Sequence, residues 1–180
     1  MHAWSTINKL SVIWKSNLTD KLKRQFFQAV VVSVLLYGCT TWTLTKRLEN
    51  KLDKSCTRML RAVLNKSWKQ HPTRKQLYGH LPPISQTIRV RRTRHAGHYW
   101  ISKDELISDV LLWKPTHGHA NVGRPPKTYI DQLCEDTGCC TEDLSGTMND
   151  REVWREIAMD IRAIYATWWW WWFICKQCSL

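Results

Sequence analysis

The chain has 180 residues and a mass of 21.3 kDa, with 43% hydrophobic and 23% charged residues, which allows one modest core or two small ones. A large enzyme and a compositionally disordered polymer are both excluded. Twenty-seven Lys and Arg against 15 Asp and Glu leave a net charge of +12, a field that attracts phosphate-rich polymers or anionic surfaces and repels basic partners.

That charge is uneven. Residues 1–103 hold 20 Lys and Arg against three acids (Asp20, Glu49, Asp53), a net +17, whereas residues 104–180 hold seven against 12, a net −5. The N-terminus has no basic stretch leading into an apolar run, so it does not read as a signal peptide. The first long apolar stretch, 29–36, is interrupted by Ser33. It falls far short of the roughly 20 residues that span a bilayer and reads as a buried helix. Seven cysteines, an odd number without a secretory signal, indicate reduced thiols. An intracellular location, nuclear or cytoplasmic, with no membrane partner, is the expectation.

In chain order, Trp4, Ile7, Leu10 and Trp14 recur at helical steps. Thr19 is placed to cap a second helix through Leu22, Phe26, Ala29 and Val30 to Leu36 or Tyr37, with Gly38 at its end. Thr45 can cap a third whose inner face is Leu48, Leu52, Met59, Leu60 and Val63, with Lys51, Lys54, Arg58 and Arg61 largely outside. Residues 65–72 break it.

Pro82 and Pro83, with Ser85 as cap, introduce a helix to about Ile101. At 100° per residue, Ile88, His95 and Tyr99 cluster near Ile84, and Arg91 falls on the same stripe. Arg94 and His98 lie at one margin, Arg89, Arg92 and Lys103 at the other. Residues 114–127, rich in Pro and Gly, read as a linker. Beyond it come a short helix ending at Gly138, a start near Thr141, and a capping-box pattern at Asn149 and Glu152 ahead of a helix that buries Trp154, Ile157 and Ile161. No segment alternates with period two, so the fold class is all-α. Five consecutive tryptophans, Trp168 to Trp172, have no amphipathic period and read as low complexity.

The runs LLYGCTTWTLT, KRLENKLDKSCTRMLRAVL, HPTRKQLYGHLP, IRVRRTRHAGH, GRPPKTYIDQL and DREVWRE, in that order, resemble the C-terminal region of reverse transcriptases from non-LTR (LINE-like) retrotransposons. The resemblance implies a thumb-like helical bundle over 1–70, a basic helical region over 71–113, the linker 114–127, acidic C-terminal helices over 128–163 and a Trp-rich tail over 164–180. It also implies RNA or DNA as partner, and an intact reverse transcriptase in trans as a further one. The parent proteins are RNA-directed DNA polymerases. This chain has no Tyr-x-Asp-Asp and no paired acids in a strand context for two Mg²⁺ ions, so it reads as a fragment without catalysis, cofactor, metal or small-molecule substrate. His95 and Tyr99 depart from the family's pattern.

Residues 89–94 place four arginines in six positions. Without local acids they repel one another unless an anion neutralises them. Arg89, Arg91, Arg92, Arg94 and Lys103 are therefore expected to contact phosphate. Arg124 and Lys127 join them, because Gly123-Arg124-Pro125 resembles the centre of an AT-hook, although Val122 stands where a full hook has Arg and a proline-stiffened linker is the commoner meaning. Trp42, Trp68 and Trp100 are either core or stacking surfaces for unpaired bases. His95-x2-His98, His117-x-His119, Cys134 with Cys139 and Cys140, and Cys175-x2-Cys178 do not form a paired zinc-site spacing. The alternatives are a free-standing DNA-binding regulator with 84–101 as recognition helix, or a non-functional product of a truncated element.

Overall fold

A computed structural model describes residues 2–102, 105–111, 113 and 127–161. It is all-α, as expected, with no strand among the described residues. Two compact units divide the chain. Unit 1 comprises residues 1–38 and 46–85; unit 2 comprises 39–45 and 86–180. The boundary at 85/86 falls inside the first turn of a helix.

Unit 1 begins with α1 (His2–Lys9) and α2 (Ser11–Lys15), two short helices where periodicity implied one. Ile7 and Trp14 are buried, and the Trp14 indole donates to the Ile7 carbonyl at 2.9 Å. Thr19 caps α3 (Asp20–Phe26), its hydroxyl accepting from the Leu22 amide. The chain then passes through a π-helical stretch, Phe27–Val32, into α4 (Ser33–Leu35).

That π stretch overturns the expectation of a uniformly buried 29–36 helix. Phe27, Val31, Val32 and Leu36 are buried, while Leu22, Phe26, Val30 and Val34 stay exposed. The wider i→i+5 turn keeps residues spaced by four on one line, so two apolar faces form and only one finds a core. Gly38, at φ 65°, takes the left-handed conformation that lets the chain leave the helix.

Helix α5 (Lys46–Val63) starts directly after Thr45 and packs on α1, α3 and α6 (Arg74–Tyr78). It buries Cys56, Met59, Leu60 and Val63; Leu48, expected inside, is exposed. Its end is closed by Asn65 in the left-handed region and by the Lys66 amide donating to the Arg61 carbonyl at 3.0 Å. A capping box between Thr73 and Gln76 starts α6.

In unit 2, α7 (Ile84–Ile101) enters from the boundary, followed by α8 (Glu105–Leu111), α9 (Tyr129–Thr137), α10 (Asp143–Asn149) and α11 (151–161). Ala96, Ile130, Leu133, Leu144, Met148 and Trp154 form its core. Gly138, at φ 76°, ends α9 as the sequence suggests. The last cap moves by one residue: Asp150 accepts from the Glu152 and Val153 amides, and Asn149 instead accepts from the Trp100 indole at 2.8 Å.

Candidate nucleic-acid interface

The arginines of α7 do not form one cationic face. Arg92 is completely buried, and its Nη1 donates a short hydrogen bond to the Asp136 carboxylate, itself buried. Arg89 lies 3.6 Å from the same carboxylate. Arg91, expected on the buried stripe, is exposed, as is Arg94. The buried face is therefore rotated from the expected stripe, of which Ile84 and Ile88 are buried, His95 and Tyr99 half-buried and Arg91 exposed, and Arg92 is corrected from phosphate ligand to core ion pair. What turns the helix is not apolar periodicity. Arg92 follows Asp136, the Thr93 carbonyl takes the Trp154 indole N–H at 2.8 Å, and Gly97 lies under the Trp154 ring. Each partner is more than 40 residues away in sequence.

Of the other expected phosphate ligands, Lys127 is held by Glu135 at 2.5 Å and half-buried. Lys103 and Arg124 lie outside the described residues, as do His117, His119, Cys175, Cys178 and the Trp-rich tail.

The charge belongs elsewhere. Unit 1 holds 15 Lys and Arg and all three of Asp20, Glu49 and Asp53, a net +12. Unit 2 holds 12 cations and 12 acids and is neutral. The whole net charge of the chain resides in unit 1.

Helix α5 concentrates it. Arg47, Lys51, Lys54 and Arg58 are exposed, and at 100° per residue they fall within about 60° of one another. Half-buried Arg61 extends the row. From Arg47 to Arg61 the stripe runs about 21 Å at 1.5 Å per residue. The two acids of the helix point away, Glu49 about 160° and Asp53 about 120° from Arg47. Glu49 is buried, and Asp53 accepts from the Ser85 amide and hydroxyl and lies 3.5 Å from Arg74. Ser85, expected as a helix cap, is thus committed to Asp53. Among the described residues, no carboxylate pairs with Arg47, Lys51, Lys54 or Arg58. Four such cations on one face repel one another in the free protein, and a line of phosphates removes that repulsion. Sequence reasoning had placed Lys51, Lys54, Arg58 and Arg61 outside; the signal it passed over was the i, i+4, i+7, i+11 spacing that begins at Arg47.

The other titratable groups are structural. Burial pushes the Cys56 thiol up to about 12, against the opposing hydrogen bond of Tyr78. Burial likewise raises the Tyr78 phenol, which meets the Thr57 hydroxyl at 3.0 Å. His95 is lowered by burial and then by neighbouring His98, and both rings meet Tyr99 edge-on. No group of three His, Cys, Asp or Glu side chains that could hold a metal gathers among the described residues, and no described helix is long and apolar enough to cross a membrane.

The chain is 24% identical over 165 residues to an uncharacterized transposon-derived protein of Caenorhabditis elegans, in an alignment covering 88% of this chain and 58% of that protein. The chain thus spans little more than half the length of that protein. No family model matches the sequence, and no solved structure matches it.

Proposed function

We propose that this chain is a nucleic-acid-binding piece of a transposable-element protein, corresponding to the thumb and post-thumb region of a non-LTR reverse transcriptase and holding RNA or DNA through backbone phosphates. The observation that carries it is the confinement of the entire net +12 to unit 1, where α5 lines up four exposed cations that no carboxylate among the described residues pairs with, its own acids turned away. The transposon-derived relative supports the origin, and the ordered sequence motifs support the particular element class. Long cations on a helix surface reach phosphate oxygens and carry no base information, so the binding is tolerant of sequence.

The chain supplies grip and no nucleotidyl transfer, since its sequence has no Tyr-x-Asp-Asp. Unrelated oligonucleotides of equal length should bind with affinities within a few-fold of one another, and primer extension with Mg²⁺ or Mn²⁺ should give no incorporation. Strong preference for one sequence would favour a regulator; metal-dependent incorporation by protein free of contaminating polymerase would end the account of a fragment without catalysis.

A further inference from the structure

Trp68 is the most exposed of unit 1's tryptophans, at 66% against 41% for Trp4 and 3% for Trp14, and it lies five residues beyond the last residue of α5. The segment around it is fixed on both sides. Asn65 and His71 both sit in the left-handed region, at φ 52° and 42°. The Ser67 hydroxyl accepts from the Lys69 amide, and the His71 amide donates to the Trp68 carbonyl at 3.1 Å. The Asn65 side chain donates to the Trp14 carbonyl at 2.7 Å, which ties the turn to the body of unit 1. His71 lies near-perpendicular to the Trp68 ring, the centroids 6.4 Å apart, while most of the indole stays exposed. Lys66 and Lys69 flank it, both exposed.

We infer that Trp68 is a stacking platform for an unpaired base, and that the ligand of unit 1 is a single strand, or the single-stranded end of a duplex, whose phosphates follow α5 and whose base is received at Trp68. The inference rests on the proposed nucleic-acid binding and deepens it. Exposed indole area flanked by Lys66 and Lys69, in the unit that carries the whole net charge, matches a ligand that is anionic along its backbone and offers flat apolar faces between its charges. A phosphate-only ligand gives the cations work and leaves the indole wet. A duplex keeps its bases paired and stacked, out of the ring's reach. The fixed turn matters as well, because a backbone held in place before binding gives up little freedom when a base lands on its indole.

The test uses the full chain and fluorescently labelled oligonucleotides: a 12-nucleotide single strand, as DNA and as RNA, and a blunt duplex annealed from two fully complementary strands. Trp68→Ala should weaken the single strand at least about fivefold, the lower end of what one base–aromatic stack contributes, and leave the blunt duplex unchanged. Trp68→Phe should restore most of the lost affinity, while Arg47→Ala with Lys51→Ala should weaken both ligands. Thermal melts of the Trp68 variants should match wild type, since the ring is exposed. Equal weakening of strand and duplex by Trp68→Ala, or no weakening of either, would overturn the platform while leaving phosphate binding intact. Failure of the wild-type chain to bind any of the oligonucleotides would overturn both.

Discussion

Gly97 in the middle of α7 makes a prediction whose sign separates local propensity from tertiary packing. Alanine at an exposed interior helix position is favoured over glycine by about 1 kcal/mol. At residue 97, however, an added Cβ would stand 2.1 Å from both Cδ1 and Nε1 of Trp154. The indole has no room to retreat: it is buried, packs in the unit 2 core and donates to the Thr93 carbonyl at 2.8 Å.

Relief requires either α7 to shift, an overpacking cost of about 1–3 kcal/mol, or the indole to leave its site. The second route loses its hydrogen bond, about 1 kcal/mol, and much of the 3–5 kcal/mol that a buried aromatic contributes. Set against the propensity gain, the cheaper route leaves Gly97→Ala destabilising unit 2 by up to about 2 kcal/mol. For a unit of this size each kcal/mol is worth about 4–8 °C. Circular dichroism melts of wild type, Gly97→Ala, Trp154→Ala and the double variant form a cycle, in which Gly97→Ala should turn neutral or stabilising once Trp154 is gone. A stabilised Gly97→Ala single variant would refute the Gly97–Trp154 contact and with it the phase of α7.

Arg92 and its neighbours should respond in opposite ways. Arg92→Ala strands Asp136 in the core and should cost about 3–5 kcal/mol, whereas Arg91→Ala and Arg94→Ala, both exposed, should move stability by no more than about 0.5 kcal/mol; equal effects at all three in urea unfolding would contradict the buried pair. Alkali should destabilise unit 1. Cys56 ionises near 9.0 in the unfolded chain and at about 12 in the folded one, and Tyr78 is also raised, so above pH 9 the unfolded state binds fewer protons and stability falls as pH rises, by up to about 1.4 kcal/mol per pH unit for each group. Cys56→Ala should flatten the first part of that decline, between pH 9 and 10, and a melting temperature constant to pH 11 would contradict the burial of both groups.

Local signals in the sequence located several elements well. Thr19, Gly38 and Gly138 stand where a cap and left-handed turns are needed, and the chemistry that places them is complete within four residues. Trp154 and Ile161 lie on the inner face of the last helix as their spacing implies. Two short helices were not anticipated, α6 and α8, because one or two turns carry too few apolar repeats; the Thr73 and Gln76 capping box was the legible clue for the first.

The α7 face was misread for a different reason. Its buried positions include Ser85, Gln86, Arg92 and Thr93, polar residues that periodicity assigns to solvent, and what permits their burial comes from distant partners: Asp53 for Ser85, the Ile161 carbonyl for Gln86 and Asp136 for Arg92. Gly97, an isolated glycine inside a helix, was the one local hint that something packs closely there. The same error moved the candidate site. Four arginines in six residues draw the eye, yet two of them answer one aspartate, while the α5 cations, spread over 12 residues, fall into line only when wound on the helix.

The most direct test of the proposed function is the salt dependence of binding by unit 1's helix stripe. With four to five phosphates neutralised, log K for a duplex should fall against log salt with a slope of roughly −3 to −5. Replacing Arg47, Lys51, Lys54 and Arg58 together with Gln should flatten that slope by about three to four while leaving helix content unchanged, and Arg91→Gln with Arg94→Gln should have a smaller effect. A quadruple variant with the wild-type slope, or binding that does not respond to salt, would contradict the α5 stripe as the nucleic-acid interface.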